Sequence, residues 1–153
     1  MKISLVILSA LISLSALASP RVGDTVTFSG TTAQGAAVTA LLKISSFNAS
    51  TGTYRVHSEL TVASQPDVSD EDVKASEMFT EEVGAAFVAN CSSYGGTLET
   101  MTTVPTGAIQ TCKIPSSPTD MVWIGAIPFG IVKLRQAAPY AFDITVNSIT
   151  RGP

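Results

Sequence analysis

The feature that most constrains this chain is its pair of cysteines. Cys91 and Cys112 bracket the stretch NCSSYGGTLETMTTVPTGAIQTC, which also holds a Gly-Gly pair and a Pro-Thr-Gly turn. Both are accounted for most simply by one disulfide, the usual state of a lone cysteine pair in an exported chain. Closing a loop of about 20 residues stabilises a fold by about 3 kcal/mol in the loop-entropy model. The alternatives fit less well. A zinc site needs about four ligands, and His57 is the only histidine. A redox pair favours Cys-x-x-Cys spacing. A cysteine nucleophile would have to take His57 as its base.

The chain opens MKISLVILSALISLSALASP. Lys2, an apolar run from Leu5 to Leu17 and the small-x-small triplet Ala16-Leu17-Ala18 have the form of a secretory signal peptide, residues 1–18, cut after Ala18. The apolar run is shorter than the roughly 20 residues of a spanning helix. The expectation is a single β-rich domain, residues 19–153, periplasmic or secreted, with no transmembrane segment in the mature chain. Without Lys2, eight Lys and Arg face twelve Asp and Glu. A mildly acidic chain with no basic cluster argues against nucleic acid and anionic membranes as partners.

The body reads mostly as strands. Asp24 to Gly30 alternates Val26 and Phe28 with polar residues. AVTALLKISSF and TYRVHSELTV flank the turn-like NASTG, and a five-residue connection containing Gly suits a hairpin. In the second of these strands Tyr54, Val56, Leu60 and Val62 alternate with Arg55, His57, Glu59 and Thr61, the period of a half-buried strand. His57 is thereby assigned to the solvent face. From Ser64 the chain turns acidic. Counted as a calcium loop from Asp67, it has Asp72 where the sixth-position Gly belongs and Met78 where the twelfth-position Glu belongs. It is read instead as a solvated linker, broken by Pro66, that enters a helix.

That helix is expected over Glu81 to Ser93, with Thr80 as N-cap and Gly95-Gly96 as its stop. Val83, Phe87, Cys91 and Tyr94 give it one apolar face, which places Cys91 inward on its last turn. Beyond the glycines, Val104-Pro105-Thr106-Gly107 has type I turn chemistry between Thr-rich flanks. Symmetric pairing about that turn sets Cys112 opposite Glu99. MVWIGAIPFGIVKL gives two short strands around a bend at Pro128, and YAFDITVNSIT the last strand, with Phe142, Ile144 and Val146 on one face. The expected fold is α+β: a curved antiparallel sheet, or partial barrel of hairpins, of seven or so strands with one inserted helix and one disulfide.

The second half is similar to a recurrent pattern in small exported bacterial proteins of uncharacterised function, of the Bdellovibrio type. The residues that carry it are Cys91, Gly95, Gly96, Glu99, Pro105, Gly107, Thr111 and Cys112, then Trp123, Gly125, Pro128, Phe129, Gly130, Val132 and Lys133. It spans roughly Cys91 to Leu134. The pattern's usual Pro-Ala-Gly turn followed by Thr-Phe is here Pro-Thr-Gly followed by Ala108-Ile109. More distantly, the pattern resembles exported half-barrels that include periplasmic lipoprotein carriers. That resemblance implies a curved sheet holding acyl chains.

No catalytic set emerges. The chain has no Gly-x-Ser-x-Gly elbow, Ser-x-x-Lys pair, His-Glu-x-x-His helix or phosphate-cradling loop, and nothing calls for a metal or cofactor. Glu99 and Lys133 are the candidates for a buried structural salt bridge. Trp123, Ile124, Ile127, Phe129, Ile131 and Val132 form a concentrated apolar patch near the proline bend, and are the candidates for binding an apolar ligand if the sheet curls incompletely. The function expected is that of a non-enzymatic exported protein that binds a lipid, lipoprotein or other apolar ligand. The alternative is a structural or protein-interaction component of the cell envelope.

Overall fold

The computed structural model describes residues 19–137 and 141–153. The expected signal peptide, residues 1–18, lies outside them. Nine strands form one sheet: β1 Thr25–Thr32, β2 Ala37–Asn48, β3 Thr53–Val62, β4 Gln65–Lys74, β5 Thr97–Thr103, β6 Gly107–Pro115, β7 Met121–Gly125, β8 Ile131–Gln136 and β9 Phe142–Thr150. One helix, α1 Glu81–Ala89, lies between β4 and β5. The spatial order is β4-β3-β2-β1-β9-β8-β7-β6-β5, and every neighbouring pair is antiparallel. The fold is therefore mainly β rather than α+β, with nine strands rather than seven.

The connectivity is an up-and-down meander joined through its first and last strands. Each strand pairs with its successor except β4, which does not pair with β5. The sheet is not closed: β4 and β5 are its two free edges, and α1 carries the chain from one edge to the other. Three irregularities bend it, at Thr27/Phe28, Ile44/Ser46 and Trp123/Ile124, as bulges do by adding local twist. β5 comes back within contact range of β9 despite lying four strands away.

The acidic segment is a strand and not the expected linker. Ala63 and Ser64 both take left-handed backbone, at φ 48° and 69°, and make a two-residue hairpin turn that pairs Val62 with Gln65. Pro66 is tolerated because β4 has a free edge that needs no donor. The charges of Asp67, Asp70, Glu71 and Asp72 suit such an edge, since they discourage pairing with another chain.

α1 begins as the sequence indicates. The Thr80 hydroxyl accepts from the Val83 amide at 3.2 Å, with Glu81 and Glu82 in the first turn. It ends earlier than expected, passing into a 3-10 turn, Cys91–Tyr94, that Gly95 closes at φ 70°. Its buried face also differs. Gly84, Val88 and Cys91 are inward, while Val83 is 42% exposed and Tyr94 36%. Phe87 stacks on Tyr94, with ring centroids 4.1 Å apart. The reason is close approach: a Cβ on Gly84 would stand 2.2 Å from the Gly125 carbonyl oxygen. The helix thus rests directly on the backbone of β7.

Cys91 and Cys112 form the disulfide, with Cα atoms 5.4 Å apart. Cys112 pairs with Leu98, and Glu99 with Thr111. The expected register is one residue off because a three-residue turn, 104–106, joins Thr103 to Gly107, which pair with each other, Gly107 at φ 66°. A one-residue slip exchanges faces. Cys112 therefore faces the helix, and Glu99 faces the other side of the sheet.

Candidate functional site

The main core joins Val26, Phe28, Val38, Val132, Phe142, Ile144 and Val146 across β1, β2, β8 and β9. A smaller one gathers Val88, Cys91 and Cys112 under the helix. Between the first of these and the β4 edge the sheet is left unfilled. A cavity of about 450 Å³ opens there.

Strand alternation explains most of its lining, which Leu41, Glu59 and Asp72 join out of phase. The inward set runs across β1 to β3 from Phe28 through Ala40 and Leu42 to Val56, Ser58 and Leu60, and β8 and β9 add Leu134, Phe142 and Ile144. On β4 the same face presents Asp67, Ser69, Glu71 and Val73. The wall is thus apolar at its base and polar toward the free edge. Met78, Phe79 and Phe129 form a lip. Gly130 makes the lip possible, since a Cβ there would stand 2.1 Å from the Phe79 ring.

Phe129 holds its place at φ 60°, a conformation a bulky residue seldom adopts, at a cost of about 1–3 kcal/mol. Protein interiors leave few voids larger than a water molecule. An apolar hollow within about 300–1,000 Å³ has the size of a small-molecule site.

Of the six apolar residues singled out in the sequence, Phe129 and Ile131 line this cavity. Trp123, Ile124, Ile127 and Val132 do not, being buried elsewhere. The separation follows from geometry: Trp123 and Ile124 are consecutive on β7 and face opposite sides, with a bulge between them. The residues that sequence reasoning missed are the inward set of β1 to β3. Their alternation was visible, but which strands share a concave face was not.

Trp123 lies on the face opposite the disulfide. Its Nε1 donates to Glu99 Oε2 at 2.7 Å. Lys113 Nζ, Lys133 Nζ and Arg135 Cζ stand 5.2, 5.0 and 5.7 Å from the ring centroid, within cation–π range. The expected Glu99–Lys133 pair does not form. Lys113 takes Glu99 at 3.2 Å, and Lys133 takes Asp143 at 3.0 Å. Register decides this, because Lys133 is a partner of Thr145 on β9 while Glu99 is three strands away on β5. The Glu99 carboxyl is held below its ordinary value, first by the Trp123 N–H and then by Lys113. The arrangement is a cross-strand network of three cations and two carboxylates around an indole, with Asp143 taking both Lys133 and Arg135.

His57 lies outward as expected. Its Nδ1 is 3.1 Å from Asp70, and neighbouring Arg55 is 3.3 Å from Asp72. Arg55, His57 and Asp70 are outside the lining of the cavity, while Asp72 belongs to it. Among the described residues, no group of three or more His, Cys, Asp or Glu could hold a metal ion. No helix among them is long and apolar enough to cross a membrane. Comparison with family models, with curated proteins and with solved structures gives no match.

Proposed function

We propose that this is an exported, non-enzymatic protein, periplasmic or secreted, that holds a lipid or other apolar ligand against the concave face of its open sheet. The observation that carries the reading is the hollow of about 450 Å³ walled by Phe28, Leu42, Leu60, Phe142 and Ile144. Leaving such a wall wet forgoes roughly 25 cal/mol per Å² of apolar surface, so a ligand that covers it gains that stabilisation. The leader-like residues 1–18 and the disulfide support export. The resemblance of Cys91 to Leu134 to small exported bacterial proteins, and more distantly to lipoprotein-carrier half-barrels, agrees with an envelope role.

The test is native mass spectrometry of the protein purified from its own envelope. A bound apolar molecule of reproducible mass is expected. Repeated recovery of the bare chain, together with failure of a single-chain neutral amphiphile to bind, would overturn the reading. A second reading, a structural or protein-interaction component of the envelope, rests on a different observation: β4 and β5 are free edges, and Val68 and Leu98 on them are exposed. It predicts a co-purifying protein in place of a lipid.

A further inference from the structure

The size of the cavity limits what can fill it. A dry apolar cavity of about 150 Å³ takes one benzene, which sets a scale of about 25 Å³ per carbon. The hollow here is about 450 Å³. On that scale it holds about 18 carbons. That is one long aliphatic chain, and about half of what a two-chain lipid carries.

The core is unfinished in the same place. Leu42, Leu60, Ile131 and Leu134 pack against the main core yet are only half-buried, and each lines the hollow. Elsewhere on these strands Val38 and Val132 are fully enclosed. Ala40 is the smallest side chain of the wall. It stands between Phe28 on β1 and Leu60 on β3, where a larger residue would occupy part of the space.

The polar part of the lining does not call for a charged ligand. Arg55 takes Asp72 and Lys74 takes Glu77. Asp67 is engaged as well, and the Ser58 and Ser69 hydroxyls bond each other. No Lys, Arg or His lines the cavity among the described residues, so an anionic headgroup would find no counter-charge there.

Resting on the carrier reading, we infer that the cavity takes one aliphatic chain of up to about 18 carbons with an uncharged headgroup, and that Ala40 helps to set the length it accepts. The chain lies against Phe28, Leu42, Leu60 and Phe142. The headgroup stays at the β4 rim, where the sheet is open. A chain that leaves a bilayer for this hollow keeps its burial as long as the wall covers it. Each methylene left over in water lowers the affinity about fourfold. The accepted length therefore ends where the cavity ends.

The experiment loads the purified protein from dioleoylphosphatidylcholine vesicles that carry equal amounts of saturated monoacylglycerols, with chains shorter and longer than about 18 carbons. The protein is separated from the vesicles and its bound lipid is counted by mass spectrometry. One monoacylglycerol per protein is expected, with uptake falling about fourfold per carbon beyond a cutoff at about 18 carbons. The vesicle phospholipid should stay behind. Hexadecyl sulfate should be taken about tenfold less than monopalmitoylglycerol. Ala40→Leu, which adds three carbons to the wall, should move the cutoff down by about three carbons, and Ala40→Val by about two. The valine variant keeps the test standing if the leucine variant does not fold, and unchanged uptake of the shortest chains reports that a variant is folded.

Uptake with no cutoff, a cutoff that both variants leave in place, or a two-chain lipid held one to one would overturn the single-chain assignment while leaving a carrier. Equal uptake of hexadecyl sulfate and monopalmitoylglycerol would overturn the uncharged headgroup. Failure of every lipid to transfer would overturn the carrier reading itself.

Discussion

Gly84 offers a test in which composition and structure predict opposite signs. By helix propensity alone, Gly84→Ala should stabilise α1 by about 1 kcal/mol. The packing says otherwise. A Cβ at this position would come 2.2 Å from the Gly125 carbonyl oxygen, 2.9 Å from the Gly125 carbonyl carbon and 3.3 Å from the Ala126 Cα. These are backbone atoms and cannot swing aside. Either the helix or β7 must retreat by about 1 Å to reach ordinary contact, and Val88, one turn further along the same face, loses packing as it does. Overpacking of this kind costs about 1–3 kcal/mol. Retreat is also opposed at the far end, where Cys91 is tied to Cys112.

We therefore expect Gly84→Ala to lower stability by about 1–2 kcal/mol net. Ala85→Gly, on the exposed side of the same turn, measures the propensity effect alone and should lower stability by about 1 kcal/mol. Both directions of the Gly–Ala exchange then destabilise. Urea denaturation followed by circular dichroism is the assay, with m unchanged and the midpoint moved. A rise in midpoint for Gly84→Ala would refute the seating of α1 on β7.

Two further predictions follow from the covalent and electrostatic contacts. Cys91→Ser and Cys112→Ser should each cost about 3 kcal/mol, and the double variant little more than either. One silent and one severe single variant would contradict a shared bond, as would two free thiols by mass measurement of the unreduced protein. Glu99 titrates below its ordinary 4.5, held there by the Trp123 N–H first and Lys113 second. A depressed carboxylate stabilises the fold above its unfolded pKa, and that contribution is lost as pH falls below about 4.5 through the folded value. Lys113→Gln should move the Glu99 carboxyl resonance titration upward by NMR, yet keep it below 4.5 because the indole donor remains. An unmoved titration would remove Lys113 from the network.

Most of the hairpins were legible because their alternation is local. Phe142, Ile144 and Val146 read as one face and are one face, and the disulfide followed from the expectation of export and from there being two cysteines to pair. What was illegible was non-local or carried by exceptional residues. Ala63-Ser64 lacks the Gly or Asn that marks a two-residue hairpin, so β4 read as a linker. Pairing of Gly107 with Thr103 rather than Val104 moved the β5–β6 register by one, and with it the side of the sheet that Glu99 faces. The Trp123 to Val132 patch looked like one surface because its residues are close in sequence. A bulge and a β-turn divide it between the core, the cavity and a charged network on the other face.

The missed strand is also the one that makes the site. Without β4 the inward residues of β3 would be a sheet edge, and the hollow would lose most of its polar side. With it, Ser58 meets Ser69 across the pair, their hydroxyls 2.7 Å apart, and the wall continues from apolar base to acidic rim. The helix contributes at the other side. Phe79 lies immediately before Thr80, the residue that starts α1, so the lip is positioned by whatever positions the helix. The contacts that do so include Gly84 against β7, the Cys91–Cys112 bond, the Glu81–Arg151 ion pair and Gly130 beneath the Phe79 ring. Gly84 and the cysteines are not part of the lining of the hollow. Through the helix they bear on the position of Phe79, which is why a covalent tie outside the cavity belongs to the account of the cavity.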